Sequence, residues 1–598
     1  MRLLFFITSF NSKLFDDVIG AGIGTINSNK MITPPLVCLV ISATLANSLS
    51  YSCRTTQSLF HVRHPSLLKT SLSLNDDWFI DDDNVSDEKD DGHQILQSES
   101  SSVDDIDDDV RFYFATCIPG LHEVLANELI SFGASNVEPQ GTSGVRFEGC
   151  PEVGLKAVLW CRTAHRIMEL IASSSDGGYD YESDYSEGIR TSNDLYQFTK
   201  SAIHTPSLLG DGSGGLLTLS VSTTYASKVP KELCHSHYSA LTVKNSLCDA
   251  VRELRDDGER PDVDVYDADV PLVAVIKGRR LNNGRRMDRR HRERNQHYEA
   301  NFQAEEEENL VADVDIYRCL HSGGSAHRRG YRKMVSNDSE DAVIHRAAMK
   351  ESLAAGLLLQ AGWDKLVEAA RGDGKGAVLI DPMAGSATLP VEAALIACDV
   401  APGLSRIASW KSGGGSRNPH RYPPAIRWKG FSNQQAWDKL LNEAKSRAME
   451  GMKFASSPAK DGQKNNVSIY CNEKNSGAAK LAISSIRNAG VSKIVSLTEG
   501  DCIDWHLESF TTIPSRTIFV SNPPWGKRLS QDIDDSWVNL REFVRREASG
   551  CEVWVLSGNK DLTKILRMKK SRSMPIRTAD EELKWLQYHV FQKKEVTV

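Results

Sequence analysis

Residues 377–402 read AVLIDPMAGSATLPVEAALIACDVAP, an apolar run, a turn of small residues and a second apolar run. The first run, Ala377–Ile380, predicts a short strand that is buried on both faces. The small residues of the turn, Ala384–Ala387, allow a ligand to approach the backbone closely. The second run, Val391–Cys398, predicts a packed helix with Thr388 as its cap. This order of strand, turn and helix indicates the first unit of a nucleotide-binding α/β sheet.

The residues of this turn restrict the class of ligand. The turn contains neither the G-x-x-x-x-G-K-[ST] pattern of a triphosphate site nor the G-x-G-x-x-G pattern of a dinucleotide site. Asp381, which closes the predicted strand, would repel a phosphate and attract a cation. S-adenosylmethionine carries a sulfonium and an ammonium group and no phosphate, so it suits an acidic turn. An ordinary βα turn without a ligand is the alternative that this segment alone leaves open.

A second strand and turn follow downstream. Thr517–Val520 is an apolar run that predicts another buried strand, and SNPPWG follows it at 521–526. Two adjacent prolines lack N–H donors and stiffen the turn, so carbonyl oxygens remain available to a ligand. Asn522 adds a side-chain acceptor, and Trp525 offers a flat face on which a base can stack. Such groups suit an exocyclic NH2, and the predicted catalytic residues are Asn522, Pro523, Pro524 and Trp525.

Together, DPMAGSATLPVEAA at 381–394 and SNPPWGKRL at 521–529 resemble the THUMP-containing RNA methylases, in particular the bacterial RlmL-type enzymes. The resemblance implies a Rossmann-like class I methyltransferase domain preceded by an α+β ferredoxin-like/THUMP RNA-binding domain. It also implies methyl transfer from S-adenosylmethionine to N2 of a guanine in RNA, most readily large-subunit ribosomal RNA. A tRNA guanine-N2 or adenine-N6 methyltransferase is one alternative. A non-catalytic RNA-binding factor for ribosome assembly is another.

The resemblance further implies the cofactor-binding residues. Val467–Cys471 predicts a second strand, and Glu473 after it matches the family's ribose-binding acid. Ile494–Leu497 predicts a third strand, followed by Asp501, which would accept a hydrogen bond from the adenine amino group. The predicted cofactor-binding set is Asp381, Pro382, Met383, Gly385, Ser386, Ala387, Thr388, Glu473, Asp501 and Asn522. Three departures from the family pattern matter. Ala384 replaces a cysteine, Ala387 replaces a glycine and is expected to avoid positive φ, and Trp525 replaces the usual Tyr or Phe.

The N-terminal half carries the second part of the resemblance, in FATCIPGLHEVLANEL at 114–129 and HSHYSALTVKNSL at 235–247. The family uses this region to hold RNA, and the predicted contacts are His237, Tyr238, Lys244, Arg328 and Arg329. A buried aromatic and a solvated lysine are the competing explanations of Tyr238 and Lys244.

Two further segments of the N-terminal half carry a structural prediction. Apolar spacing predicts one long helix over Gly154–Ile171. The basic run at 278–294 interrupts a predicted hairpin and favours phosphate contact, unless the acidic residues that follow neutralise it.

Composition and charge predict four regions. Residues 1–75 contain an acid-free run at 18–75 with a short apolar region, and they predict an organellar targeting segment. The plastid is the preferred destination over the mitochondrion. The alternative is a disordered extension without a targeting signal, which would leave the protein in the cytoplasm. Residues 76–110 predict an acidic disordered linker. Residues 111–335 are the predicted RNA-binding domain, with insertions near 173–194 and 279–309, and residues 336–598 are the predicted methyltransferase domain.

Net charge and cysteine usage restrict the class of protein. The whole chain has a net charge of −8, of which the linker contributes −14 and the targeting segment +4. The remaining residues therefore have a net charge of about +2, which alone does not indicate RNA binding. The 12 cysteines are scattered without a C-x-x-C pair, which predicts neither a zinc site nor a disulfide framework. No metal is expected, because a sulfonium methyl group is already activated. No apolar run is long enough to predict a membrane span.

Overall fold

The computed structural model describes residues 110–175, 188–281, 309–321, 326, 328–332, 349–404, 423–508, 514–525, 533–578 and 581–591. The predicted targeting segment and nearly all of the predicted acidic linker lie outside the described residues. The central parts of the two predicted insertions and the predicted domain boundary at residue 335 also lie outside them. The described residues form two folded halves, one on either side of that boundary.

The first half is built on a seven-stranded sheet with helices. Its elements are β1 (Arg111–Thr116), α1 (His122–Ser131), β2 (Ser135–Gln140), β3 (Gly144–Gly149), α2 (Pro151–Trp160), β4 (Arg166–Ser173), α3 (Ser192–Ala202), α4 (Thr205–Leu209), β5 (Leu219–Tyr225), α5 (Ser236–Leu254), β6 (Val270–Arg280) and β7 (Leu310–Cys319). The spatial order of the strands is β2-β3-β1-β4-β7-β6-β5. Only β5 and β6 are parallel among neighbouring strands of this sheet, and α5 is the crossover between them.

The elements from β1 to β4 form a ferredoxin-like unit. They follow the chain order βαββαβ, and their strands lie in the antiparallel order β2-β3-β1-β4. The hairpin predicted around the basic insertion is confirmed, because β6 pairs antiparallel with β7 from Arg280 and Leu310 onward. The ferredoxin-like part and the part that contains α5 therefore share one continuous sheet.

The single helix predicted over Gly154–Ile171 is wrong. The helix α2 ends at Trp160, and β4 begins at Arg166. The backbone N–H groups of Arg162 and Thr163 donate to the carboxylate of Glu128, at 2.8 and 3.1 Å, so the chain turns there with its donors satisfied. β4 then pairs with β1 on one side and β7 on the other. These distant strands override the helical spacing.

The second half is a doubly wound α/β domain. Its elements are α6 (Glu351–Gln360), α7 (Trp363–Asp373), β8 (Ala377–Asp381), α8 (Thr388–Ala397), α9 (Gln434–Ser456), β9 (Val467–Glu473), α10 (Ser476–Asn488), β10 (Val495–Glu499), β11 (Thr517–Ser521), α11 (Ile533–Glu547), β12 (Glu552–Ser557), α12 (Lys560–Ile565), β13 (Lys570–Arg577) and β14 (Glu582–His589). The strand order is β10-β9-β8-β11-β12-β14-β13. The five strands from β10 to β12 are parallel, and β14 is antiparallel to both of its neighbours.

This topology positions the candidate site. Every residue of β8 and of β11 is buried, which explains why both strands are continuous apolar runs. The strand order reverses between β8 and β11, and ligands of open α/β sheets usually bind beyond the carboxyl ends of the strands at such a point. The predicted Rossmann-like fold is confirmed, and both quoted turns lie at this edge of the sheet.

Candidate active site

Acidic and amide side chains follow four neighbouring parallel strands. Asp381 and Glu473 are the last residues of β8 and β9, Asn522 comes directly after β11, and Asp501 lies two residues beyond the end of β10. Because these strands are parallel and adjacent, their carboxyl ends lie along one edge of the sheet. The structure therefore brings together the predicted acidic residues and the predicted catalytic turn.

Asp381 is a buried carboxyl group in an environment that disfavours its charge. Its side chain is 1% exposed, and its Oδ1 accepts a hydrogen bond from the backbone N–H of Met383 at 3.1 Å. Burial raises the pKa of Asp381 to about 8, and the nearby charge of Glu473 adds to the rise. A cation bound beside this carboxyl would favour its ionised form, so the site is suited to a positively charged ligand.

Glu473 ties the small-residue turn to the sheet. Its Oε2 accepts from the backbone N–H of Gly385 at 2.7 Å, and its Oε1 accepts from that of Asn475 at 2.8 Å. Burial raises the pKa of Glu473 above its ordinary value. Each carboxylate oxygen has two lone pairs, so both retain capacity to accept from ribose hydroxyls.

Asn472 is a residue that the sequence analysis did not single out. Its side chain is 1% exposed, and its Nδ2 donates to the carbonyl oxygen of Gly500 at 2.8 Å. The backbone carbonyl oxygen of Asn472 accepts from the N–H of Ala384 at 2.9 Å. Asn472 therefore joins the ends of β8, β9 and β10. An asparagine directly before the acidic residue that closes a strand was the available signal.

Asp501 is held by three partners. Its oxygens accept from Asn539 Nδ2 at 3.1 and 3.0 Å and from Lys474 Nζ at 2.9 Å, and Oδ1 also accepts from the N–H of Ile503. Burial raises the pKa of Asp501, but the bonds from Lys474 and Ile503 outweigh it and leave the pKa below its ordinary value. Asp501 is thus an ionised acceptor, and Asn539 on α11 is a second residue that sequence reasoning missed.

The turn between β8 and α8 corrects two expectations. Ala387 has φ of 61°, so the expectation that it avoids positive φ is wrong. Ala387 is also the N-cap residue, and Thr388 is the first residue of α8 rather than its cap. The short connection from Asp381 requires left-handed backbone at Gly385 and again at Ala387. This conformation costs an alanine about 1–2 kcal/mol.

The remaining residues of the predicted cofactor set line the same turn. Pro382 and Ser386 are buried, and Met383 and Gly385 are partly buried. The Ser386 and Thr388 hydroxyl oxygens are 3.4 Å apart. The assignment of these side chains to a cofactor stays a prediction.

The two polar side chains of the N-P-P-W turn contact each other. The indole Nε1–H of Trp525 donates to Asn522 Oδ1 at 3.0 Å. Beneath the turn, the Nε1–H of Trp537 donates to the carbonyl oxygen of Pro524 at 2.7 Å, while Pro523 is buried. Asn522 and Trp525 are therefore one hydrogen-bonded unit rather than two separate groups that face a base.

Three predicted RNA contacts lie on α5. His237 is exposed, Tyr238 is 62% exposed, and Lys244 is partly buried. The ring of Tyr238 lies 4.9 Å from that of His235 and 5.9 Å from that of His237. Tyr238 is therefore a surface side chain, which excludes the competing explanation of a buried aromatic.

The prediction that Arg329 contacts RNA is wrong, because its guanidinium is enclosed. Arg329 is 1% exposed and pairs with the fully buried Glu392 of α8 at 3.5 Å. Its terminal nitrogens donate to the carbonyl oxygens of Arg162 at 2.6 Å and Ala326 at 3.1 Å. Arg328 beside it is exposed and stays a predicted RNA contact.

The same segment contacts the cofactor turn. Arg332 donates to Thr388 Oγ1 at 2.9 Å and pairs with Glu351 at 3.7 Å, while the Tyr331 hydroxyl donates to Glu392 at 3.1 Å. Sequence reasoning assigned Arg328 and Arg329 of this segment to RNA and missed the internal roles of Tyr331 and Arg332, because their partners lie far away along the chain.

Two absences hold for the part of the chain that the structure describes. No group of three or more His, Cys, Asp or Glu side chains there is arranged to hold a metal ion. Within the same ranges, no helix combines the length and the apolar character that a membrane span requires.

Two known protein families match the chain. Residues 341–587 match the family described as RMKL-like, methyltransferase domain. This range includes the N-P-P-W turn and the three acidic residues Asp381, Glu473 and Asp501, which we call the acidic edge. Residues 113–168 match the family described as RlmL ferredoxin-like domain, which includes β1 to the start of β4.

Curated relatives carry the name ribosomal RNA large subunit methyltransferase K/L. The protein from Hydrogenovibrio crunogenus is 28% identical over 469 residues, which cover 77% of this chain and 50% of the relative. The protein from Magnetococcus marinus is 30% identical over 424 residues, which cover 71% of this chain and 45% of the relative. The chain thus spans about half the length of the curated relatives that it matches.

Solved structures share the fold. A possible methylase from Clostridium difficile 630 aligns with a TM-score of 0.57 and 18% identity, over 81% of this chain and 100% of that chain. The methyltransferase SMU.472, solved with SAH, aligns with a TM-score of 0.55 and 18% identity, over 81% of this chain and 99% of that chain. At this level of identity, the similarity concerns the fold alone.

Proposed function

Since the chain belongs to the RlmL-type RNA methylases, we propose that it methylates N2 of a guanine in RNA, with large-subunit ribosomal RNA as the preferred substrate. The methyl donor is S-adenosylmethionine, in keeping with the match to a methyltransferase domain. The observation that carries the proposal is the position of the acidic edge directly beside the N-P-P-W turn. Asp381 is the last residue of β8, the N-P-P-W turn follows β11, and these two strands are hydrogen-bonded neighbours.

The residues of the acidic edge fit this cofactor in charge. Bound S-adenosylmethionine supplies an activated methyl group on a sulfonium, together with an ammonium group. The buried carboxyl of Asp381 offers the anionic partner for a cation, and Glu473 offers acceptors for ribose hydroxyls. Asp501, ionised and held by Asn539, offers an acceptor for the adenine amino group. A phosphate-bearing cofactor would be repelled by the ionised carboxylate of Asp501 and would offer no cation to Asp381.

The turn acts on the nucleophile by orienting it. The N2 amine of guanine is a weak nucleophile, because its lone pair is delocalised into the ring. Asn522 Oδ1 and the Pro523 carbonyl oxygen accept from this amine and hold it in line with the methyl group. These hydrogen bonds strengthen as the nitrogen becomes pyramidal, so they stabilise the transition state more than the ground state. The base leaves its stack to reach Trp525.

A basic surface beside α5 suits the RNA backbone. Lys228, Lys231, Lys277 and Arg280 are exposed, as are His237 and Tyr238 at the start of α5, with Glu232 as an exposed acidic residue of the same region. The Ser227 hydroxyl donates to the carbonyl oxygen of Gly278 at 3.0 Å, which holds the lysine-bearing loop against the end of β6. The basic run of the second insertion continues from Arg280. We assign this surface to the predicted THUMP region and to phosphate contact.

Methylation of unmodified RNA tests the proposal. The purified full chain is incubated with methyl-labelled S-adenosylmethionine and large-subunit ribosomal RNA transcribed in vitro, and a tRNA transcript pool is the parallel substrate. Nucleoside analysis is expected to find N2-methylguanosine in the ribosomal RNA. Methylation of tRNA alone, or N6-methyladenosine as the product, would support the enzymatic alternatives. Cofactor binding without methyl transfer to either RNA would support the non-catalytic alternative.

A further inference from the structure

We propose that Trp525 is a positioning residue, whose indole N–H fixes the orientation of the Asn522 side-chain amide. We also infer that Gly558 provides the space which the indole needs for this role. The inference rests on the proposed function, because it assigns a task within the same site.

The hydrogen bond determines which end of the amide faces the indole. An indole N–H can only donate, so the amide atom 3.0 Å from Trp525 Nε1 is the oxygen. The reversed amide would set an NH2 group against the indole N–H, and two donors cannot bond. The oxygen keeps a second lone pair for the guanine amine. Trp525 thus holds Asn522 in the orientation that can accept from the substrate.

Gly558 explains why the indole can occupy this place. Gly558 follows β12, the strand beside β11, and a Cβ built on it would lie 2.8 Å from Trp525 Cε3 and 3.0 Å from Cζ3. Its φ lies outside the positive region, so the requirement for glycine here is spatial rather than conformational. The hydroxyl of Ser557 donates to the carbonyl oxygen of Asn559 and accepts from its N–H, at 3.0 and 3.1 Å, which holds the turn close to the indole.

This role differs from stacking. A ring that only stacks on the base needs its π-face, which a phenyl group also presents. The family's usual Tyr or Phe has no donor at the position of the indole nitrogen. Stacking alone therefore predicts that Trp525→Phe retains kcat, whereas positioning predicts a lower kcat with the KM for RNA retained.

Kinetics on the in vitro transcribed large-subunit ribosomal RNA separate these roles. We expect Trp525→Phe and Gly558→Ala each to lower kcat by about tenfold, the effect of losing one well-placed hydrogen bond. The KM for RNA is expected to change by less than about threefold. The matched control is Trp585→Phe, since Trp585 is a buried indole on β14 with no hydrogen-bond partner for its N–H among the described residues. A kcat for Trp525→Phe equal to that of the control would overturn the inference.

Two further measurements keep this inference distinct from the proposed function. Asn522→Ala in the same assay should lower kcat by about a hundredfold. If it does so while Trp525→Phe is unaffected, only the inference fails. If Asn522→Ala has no effect, or wild-type protein methylates no RNA, the proposed function fails.

The hydrogen bond itself is tested without activity. In protein labelled with ¹⁵N at its indoles, the signal that disappears in Trp525→Phe is assigned to Trp525. That signal should shift, and its proton should exchange faster with solvent, in Asn522→Ala. An unchanged signal in Asn522→Ala would overturn the inference even without a substrate.

Discussion

Burial of one carboxyl group governs the expected behaviour of the cofactor site. Asp381 lies at the end of a strand whose residues are all buried, so water solvates its charge poorly. Its pKa of about 8, raised by burial, means that the carboxyl is largely protonated near neutral pH when no cation is present. With the role proposed for Asp381, cofactor binding requires this carboxyl to lose a proton.

We expect the affinity for S-adenosylmethionine to increase as the pH rises from about 6.5 to 8.5, because the ionised form of Asp381 becomes more populated toward its pKa of about 8. Binding below this pKa should release protons. Calorimetry at three pH values, in buffers with different ionisation enthalpies, measures both effects. Asp381→Asn should bind more weakly and with a flatter pH dependence, and a wild-type affinity independent of pH would contradict the prediction.

The ends of the parallel strands act together through Asn472. Its side-chain Nδ2 donates to the carbonyl oxygen of Pro382 in the turn after β8 at 3.5 Å and to that of Gly500 after β10 at 2.8 Å, so the amide connects the two turns. Asn466, at the opposite end of β9, is also buried, and its Nδ2 donates to the carbonyl oxygen of Phe454 at 3.1 Å. The two asparagines therefore form a matched pair at the two ends of one strand.

We expect Asn472→Ala and Asn466→Ala each to lower the free energy of unfolding by about 1–3 kcal/mol, because each leaves a backbone carbonyl oxygen without its donor. Only Asn472→Ala should also weaken S-adenosylmethionine binding. Urea denaturation and calorimetry measure the two quantities. Equal cofactor affinity in both variants would refute the role assigned to Asn472.

The helix α5 presents an exposed aromatic side chain, Tyr238, beside two histidine rings, and a second exposed tyrosine provides its control. Tyr266 is 85% exposed and lies in an acidic loop between Asp264 and Asp267. Tyr238→Ala should weaken binding of the ribosomal RNA transcript by about 1–3 kcal/mol through lost stacking. Tyr266→Ala should leave the affinity unchanged. Filter binding at several salt concentrations tests this, and equal effects of the two variants would argue against the α5 surface.

The two halves of the described chain meet through buried charges. Arg329 bridges the carboxylate of Glu392 in α8 and the carbonyl oxygen of Arg162 before β4. A second connection joins Trp428 to the first sheet, since its Nε1–H donates to the carbonyl oxygen of Asp269 at 2.7 Å. These contacts hold the first half of the described chain against the methyltransferase half.

Arg329→Met should lower the free energy of unfolding by about 3–5 kcal/mol, because it leaves Glu392 buried without its cation. Arg328→Met, at the exposed neighbouring arginine, should change it by no more than about 0.5 kcal/mol. The urea midpoint distinguishes the two variants. Similar midpoints would show that the Arg329–Glu392 pair does not support the interface.

We propose that residues 1–75 direct the protein to an organelle, on the strength of their acid-free run and apolar region. A fluorescent fusion of residues 1–110 should accumulate in plastids rather than mitochondria. A fusion of residues 76–110 alone is the control and should remain diffuse. A diffuse signal from the longer fusion would contradict the proposal.

The parallel sheet and its site could be predicted because their signals are local. Each of the four runs that lead to the site became a strand. β8 and β11 are buried throughout, as their continuous apolar sequences predict, whereas β10 at the edge of the sheet is largely exposed. The acidic and amide residues were located because each lies within four residues of the end of such a run. Adjacent parallel strands then bring their ends together whatever the connecting segments contain.

The remaining features depend on partners far along the chain. Arg166–Ser173 is a strand because it pairs with β1 on one side and β7 on the other. Arg329 is buried because it pairs with Glu392 and donates to the carbonyl oxygen of Arg162. Positive φ at Ala387 follows from the tight connection between β8 and α8. Contact between Trp525 and Asn522 depends on the space at Gly558, 33 positions beyond Trp525. Burial and hydrogen bonding of this kind arise only when distant segments pack together. Local periodicity and residue preference therefore do not predict them.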